Sequence, residues 1–573
     1  MRHTVNPQQG RLFDPFDGVI PPLGLERIHH GWQGIFRTAL LELMPAKQLG
    51  KHFSPNIGRP TKELYSVAGL LFLQEFQNWT IPEAVEAYLF RTDIQFALNL
   101  EPGVDQLCDR TFERYRAIFL EDEGAGRVMQ DVTDRLIDLL ELDIAKQRLD
   151  STHVFSNMAS FGRTRLMAVT IKRFLTQVKR HHLADYEALP AELRRRYAPS
   201  QAQLLSKESK DADGRAKSRQ QVAEDLRDLL DRFADHAGLR DRPSYQALAS
   251  VFAQQCEIVA DRVEVRAKTG GACVQNPSDL DATYDGKKGQ GYQAQFSETC
   301  SEANAVQLIV SALPQTAVES DANALEPVLA DLQTRDLLPE EMLADTSYGS
   351  DDNVQRAAAL GVEVVSPVSG PTPTEATQVN GEVLANLTID DFAVDERTGK
   401  VEACPAGRVP LQVVRDEETS TTTIHMSPQD CAACPFRAQC PIEAGKATYK
   451  VSYTDKQKRL EGRRREQETD VFRQRYAKRS GLESTNSGVK RRLGLGQLRV
   501  RGRRAVQHAI YLKVAGWNLL RAAASGKLRG RVAGALARLG AARIFRLLFA
   551  IWTLVYYRSL WPKPAQHLHA VRR

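Results

Sequence analysis

Glu483 is the residue that most needs a chemical reason. It lies in the stretch Tyr476–Lys490, YAKRSGLESTNSGVK, among Lys478, Arg479, Lys490, Arg491 and Arg492. From Val471 to Arg573 it is the sole carboxylate, set against 23 lysines and arginines. A basic field of that density calls for a polyanionic partner. A lone acid inside it reads as an oxygen ligand for a divalent cation beside phosphates, or else as one half of an ordinary salt-bridged surface helix. Two more acids stand where a fold would need a use for them. Asp150 is in the middle of the strand-like KQRLDSTHV (146–154), and Asp345 closes the strand-like EMLAD (341–345). An acid inside a strand is unfavourable without a purpose, and the carboxyl ends of strands are where α/β sheets build sites. Three carboxylates are the ligand set for two-metal phosphoryl transfer, in which hard ions hold the attacking and leaving oxygens. His153, three positions beyond Asp150 in the same strand, points to the opposite face and reads as structural. Asp351 and Asp352 read as first-turn acids of a following helix, where the dipole favours them.

The elements that must position these acids follow from periodicity. Tyr476, Arg479 and Glu483 are spaced i, i+3, i+7, one face of a helix. Ser487-Gly488 speaks against that helix continuing as far as Lys490. Around Asp150 and Asp345 the order is strand (146–154), hairpin strands (291–297 and 305–313), helix (321–335), strand (341–345), helix (351–360) and strand (362–368). That is the order of an α/β, ribonuclease-H-like catalytic core, a mixed sheet flanked by helices. Ahead of it, LYSVAGLLFLQEF (64–76) is an apolar helix. Thr80-Ile-Pro-Glu83 reads as a capping box opening a second helix near 81–90, and a third begins near Asp109. These three suit a helix-turn-helix and a plain helical bundle equally.

The Tyr-x2-Arg-x3-Glu-x6-Lys pattern, filled here by Tyr476, Arg479, Glu483 and Lys490, resembles the signature of DDE transposases of bacterial insertion sequences, in the superfamily numbered four. DSTHV resembles that family's first catalytic block and LADTSYGSDDN its second. The resemblance implies that Asp150, Asp345 and Glu483 are the catalytic, metal-binding triad for two Mg²⁺ (or Mn²⁺) ions. It implies that Tyr476, Arg479 and Lys490 hold the element's end. Arg491, Arg492, Arg501 and Arg503 join them as DNA-binding candidates, because basic runs on either side of Glu483 suit a phosphate backbone. The implied activity is cutting at the ends of an insertion sequence and joining the 3′-hydroxyls to target DNA. A ribonuclease-H-like nuclease that cuts without joining, and a domesticated non-catalytic DNA-binding protein, are the alternatives. The implied partners are terminal inverted repeats and target DNA, with a homodimer in the synaptic complex.

The expected domains are an N-terminal helical, DNA-binding domain (1–142), and a catalytic core (143–368 plus 466–520) interrupted by a helical insertion at about 161–268. A cysteine-bearing insertion (369–465) and basic C-terminal helices (521–573) complete the chain. Within the second insertion, Cys404, Cys431, Cys434 and Cys440 could close a structural zinc site, and they could equally be reduced thiols in a small subdomain. Similar cysteine-proline stretches occur in the eleven-eighty-two branch, which the chain resembles over most of its length. The eight cysteines in 573 residues do not read as a disulfide framework. The formal charge of +6 averages a C-terminal part of about +22 with a remainder near −16. The apolar run 547–557 is too short to span a bilayer, and the N-terminus lacks a signal-peptide core. No membrane association and a cytoplasmic setting are therefore expected.

Overall fold

The computed structural model describes residues 1–528 except 8–13, 104, 206–210, 371–376, 380–381, 385, 396–399 and 446. Of the basic C-terminal helices expected over 521–573, the part beyond 528 lies outside the described residues. Contacts divide the chain into two compact units. One comprises Met1–Leu142, Ala303–Leu308 and the chain from Val489, and the other comprises Asp143–Glu302 and Ile309–Gly488.

The second unit is built on a mixed sheet. Strand β1 (Lys146–Val154) runs antiparallel to β2 (Gly289–Thr299), with Asp150 opposite Phe296. Strand β2 pairs antiparallel with β3 (Ile309–Thr316). On its other side β1 pairs parallel with β4 (Glu341–Ala344), Leu149 opposite Ala344, and β4 pairs parallel with β5 (Glu363–Val365). The order β3-β2-β1-β4-β5, with helices Leu325–Thr334 and Asp351–Ala359 crossing between the parallel strands, is the ribonuclease-H-like core. The first crossover helix buries Leu325, Val328, Leu329 and Leu332. Their i, i+3, i+4, i+7 spacing makes one apolar stripe. The second is capped by Ser350, with Asp351 and Asp352 in its first turn. Strand β4 stops one residue short of the expected end: Asp345 leaves the ladder, and its side chain accepts from the Thr346 amide at 2.7 Å.

Both insertions make their own cores. The first contains helices Arg163–His181, Ala212–Phe233 and Pro243–Gln255, which bury Phe174, Leu226, Leu229, Phe233 and Leu248 among themselves. The second holds a three-stranded antiparallel sheet (Gln412–Asp416, Thr421–Met426, Tyr449–Thr454) over Ile389, Phe392, Ile424 and Cys431. From it the chain enters the basic helix Asp455–Gln467 through a Thr454–Gln457 capping box.

In the first unit, helix Leu64–Phe76 is buried at all but one position, and Glu63 caps its start. Thr80 and Glu83 form the expected capping box ahead of Ile81–Phe90. Helix Arg503–Ala524 buries more than half of its residues and packs here against Ala125–Leu140 and Leu64–Phe76. Residues 489–528 cluster with the N-terminal helices in this first unit.

Candidate active site

Asp150 sits at the middle of β1, one-fifth exposed, with a carboxylate oxygen accepting from the Ser151 amide at 2.9 Å. Burial pushes its pKa up. Arg479 and the Ser151 amide oppose that, and the charges of Asp345 and Asp321 add to it. Asp345 and Asp321 are therefore each close enough to Asp150 to act on its charge, an electrostatic setting that favours a cation.

The helical segment carrying the Tyr-Arg-Glu residues is not one helix. Helix Asp470–Ala477 ends after Tyr476, Lys478–Ser480 form a 3₁₀ turn, and a new helix runs Gly481–Leu493. This corrects the single face inferred from spacing. It also corrects the doubt over Ser487-Gly488, because the second helix passes unbroken through both to Lys490. Leu482, Thr485, Asn486, Val489 and Leu493 form its buried side, and that packing outweighs the low propensity of Gly488.

Despite the break, Arg479 reaches Asp150 at 3.3 Å and Glu483 at 3.8 Å, with its guanidinium 5.7 Å from the centre of the Tyr476 ring. Tyr476 in turn stacks on Phe472 at 5.7 Å. Burial works against the charge of Arg479, but Tyr476, Asp150 and Asp345 outweigh it and raise the net pKa. Glu483 is two-thirds exposed. Tyr476, Arg479, Glu483, Asp150 and Asp345 therefore share one region, in which the guanidinium stands between the Asp150 and Glu483 carboxylates. Lys490, Arg491 and Arg492 follow on the same helix, and Arg491, Arg492, Arg501 and Arg503 are exposed.

Several participants were not legible beforehand. Asp321, expected only as the start of a helix, accepts from Lys288 Nζ at 3.0 and 3.2 Å, from Gln295 at 2.9 Å and from Ser151 Oγ at 3.2 Å. Asp321 lies 26 residues from Gln295, 33 from Lys288 and 170 from Ser151, so no local spacing could have grouped it with them. His153 Nε2 donates to the Gln290 carbonyl at 3.0 Å, and its ring packs edge-on to Phe155. Asp351 is claimed elsewhere: it is buried and pairs with Arg459 at 2.7 and 3.0 Å. In the basic stretch 456–465 ahead of Glu483, Arg459 is held by Asp351, Arg463 by the carbonyls of Gly349 and Ser366, and Arg465 by Asp390 and Asp391.

Metal-binding capacity differs from place to place. Asp150, Asp345 and Glu483 offer the hard oxygens Mg²⁺ requires, two of them now bridged by Arg479. Among the described residues, the one set of three donors with all ligand atoms within 4.8 Å of one another is His182, Asp185 and His236. Its geometry is that of a hydrogen-bonded bridge. His236 Nδ1 accepts from the Gly238 amide at 3.2 Å, so the ring proton sits on Nε2, facing Asp185 at 3.2 Å, and offers a metal no lone pair. Cys404, Cys431, Cys434 and Cys440 line one pocket, and burial, followed by the other thiols, pushes Cys431 up. The donor type suits zinc. Among the described residues no three of these thiols have their sulfurs all within 4.8 Å of one another, so the set is not drawn together as a closed tetrahedral zinc site would be.

No curated protein matches the chain. Among solved structures, a piggyBac transposase synaptic complex with hairpin DNA is similar at 9% identity, over 71% of this chain and 78% of that one. The TM-score is 0.19, too low to bear on function. Residues 403–523 match the family model described as "Transposase DDE domain", a span that includes the four cysteines, Tyr476, Arg479, Glu483 and Lys490.

Proposed function

We propose that this chain is a DDE transposase, cutting DNA at the ends of an insertion sequence and joining the freed 3′-hydroxyls to target DNA. The observation that carries the reading is that Arg479, inside a segment that matches a transposase family model, approaches both Glu483 in that segment and Asp150 more than three hundred positions earlier in the chain. Asp150, Asp345 and Glu483 would hold two Mg²⁺ or Mn²⁺ ions, which supply Lewis acidity for in-line displacement at a phosphodiester. The chain's own contribution is placement. Strand β1 fixes Asp150, the turn after β4 fixes Asp345, and helix Gly481–Leu493 brings Glu483 in from the side. Arg479 neutralises the acids until the ions arrive and is then free to turn to a phosphate. Tyr476, Lys490, Arg491, Arg492, Arg501 and Arg503 bind the backbone of the element's end. Two protomers, one per end, make the active complex, and the protein works in the cytoplasm. Among the described residues no helix is long and apolar enough to cross a membrane.

The test is a strand-transfer assay with Mg²⁺, the inverted repeats flanking the coding region, and a target duplex. Joined products support the reading. Nicks without joining favour a nuclease, and binding alone favours a non-catalytic DNA-binding protein.

A further inference from the structure

A buried ion pair ties the Glu483 helix to the strand that carries Asp150. Arg148 and Glu298 are cross-strand partners on β1 and β2. Glu298 is fully buried, and one of its oxygens accepts from Arg148 Nε at 2.8 Å and Nη2 at 2.6 Å. Its other oxygen accepts from Thr485 Oγ1 at 2.7 Å, two residues beyond Glu483. The remaining arm of Arg148 donates to the Lys478 carbonyl at 2.8 Å, one residue before Arg479. Gly481 completes the fit: a Cβ there would lie 1.9 Å from Arg148 Nη1 and 2.6 Å from its Cζ. Glycine is thus the residue that lets the guanidinium meet the start of the helix. Arg148 lies two residues before Asp150 on the same face of β1, so one side chain grips the segment from a point fixed relative to Asp150.

We propose that Arg148 and Glu298, with Thr485 and Gly481, are positioning residues that set the separation of Glu483 from Asp150, and hence metal affinity at the site. The proposal rests on the metal-site reading of those two acids. A merely cohesive role explains the arrangement poorly. A buried ion pair is on average no more stabilising than apolar residues of similar volume, and its best-attested use is to fix register. Here four charge-assisted hydrogen bonds from one pair reach two strands, a 3₁₀ turn and a helix, which determines angle and height together. The supports of a metal ligand commonly affect metal affinity or activity by roughly 10- to 100-fold.

The experiment measures Mn²⁺ binding to the full chain by calorimetry, alongside end-DNA affinity and thermal unfolding. The variants are Thr485→Val, Gly481→Ala and the apolar pair Arg148→Met/Glu298→Leu, with Glu483→Gln as reference. Mn²⁺ affinity should fall roughly 10- to 100-fold in all three while end-DNA affinity stays within about twofold. The apolar pair should unfold at or above the parental temperature and still bind Mn²⁺ weakly, a split that a structural role would not produce. Parental Mn²⁺ affinity in the apolar pair, or in both single variants, overturns the proposal. If Glu483→Gln itself binds Mn²⁺ as the parent does, the metal-site reading fails instead, and the two failures are told apart.

Discussion

At the scale of single residues, Asp150 has opposite effects on stability and on activity. Its folded pKa is raised by burial first, so the native state holds its proton more tightly than the unfolded chain. Its contribution to stability is therefore complete below the ordinary aspartate value of about 3.9 and is lost as pH rises through the raised value. At neutral pH the ionised form is a liability for stability, which the proposed metal-binding role would account for. Asp150→Asn should raise the thermal midpoint by roughly 1–3 °C at pH 7 while lowering cleavage at least about 10³-fold. In the parent, cleavage should fall on the acid side at a pH above the free-aspartate value, because a protonated Asp150 cannot bind a cation. Differential scanning fluorimetry and a pH–rate profile check both. Arg479 is the counterpart: both members of its pair with Asp150 are at most one-fifth exposed, so Arg479→Ala leaves an acid cluster without its cation. The variant should lose about 1–3 kcal/mol, and Mg²⁺ should recover more stability in it than in the parent, as read by denaturation with and without the ion.

At the scale of elements, the sequence made β1, β4, the crossover helices and the Thr80 capping box legible, since each is specified by nearest-neighbour chemistry. The break at Lys478–Ser480 was not legible, because periodicity cannot tell a 3₁₀ turn from a helical one over three residues. The engagement of Arg459 and Arg465 was not legible for another reason: the charges of a basic run look solvated until tertiary structure supplies Asp351, Asp390 and Asp391. Lys513 is the same lesson in reverse, one more cation in a basic tail. It is buried, and its Nζ donates to the Leu493 carbonyl at 2.8 Å, to the Glu75 carbonyl at 3.0 Å and to Asn78 at 3.1 Å. Since Leu493 ends the Glu483 helix, Lys513→Ala strips that terminus of a donor and should cost about 2–4 kcal/mol in urea unfolding. The second insertion makes a separate prediction. If the four cysteines close on zinc, the purified chain should carry about one equivalent by elemental analysis. A chelator should then expose its thiols to a colorimetric reagent, and a metal-free, fully reactive preparation would mark them as plain reduced cysteines.

At the scale of the whole molecule, the charge asymmetry read from the sequence divides into two kinds of cation. Those of helix Asp455–Gln467 that pair with Asp351, Asp390 and Asp391 hold the protein to itself and release no counterions from DNA. Arg491, Arg492, Arg501 and Arg503 are exposed and are the proposed phosphate contacts, and Arg491 and Arg503 also have partners within the protein. Salt dependence separates the two classes, because log affinity falls with log salt by about 0.9 for each phosphate neutralised on a duplex. Arg501→Ala should therefore weaken end-DNA binding and flatten the salt slope by about one unit, equally for specific and unrelated duplexes, since a backbone contact carries no sequence information. Arg465→Ala, which removes a cation already engaged by two aspartates, should leave the slope unchanged. Fluorescence anisotropy over a salt series measures both variants. A flat response for Arg501→Ala with a changed slope for Arg465→Ala would mean that DNA follows the 455–467 helix, and the basic face would have to be redrawn from that helix outward.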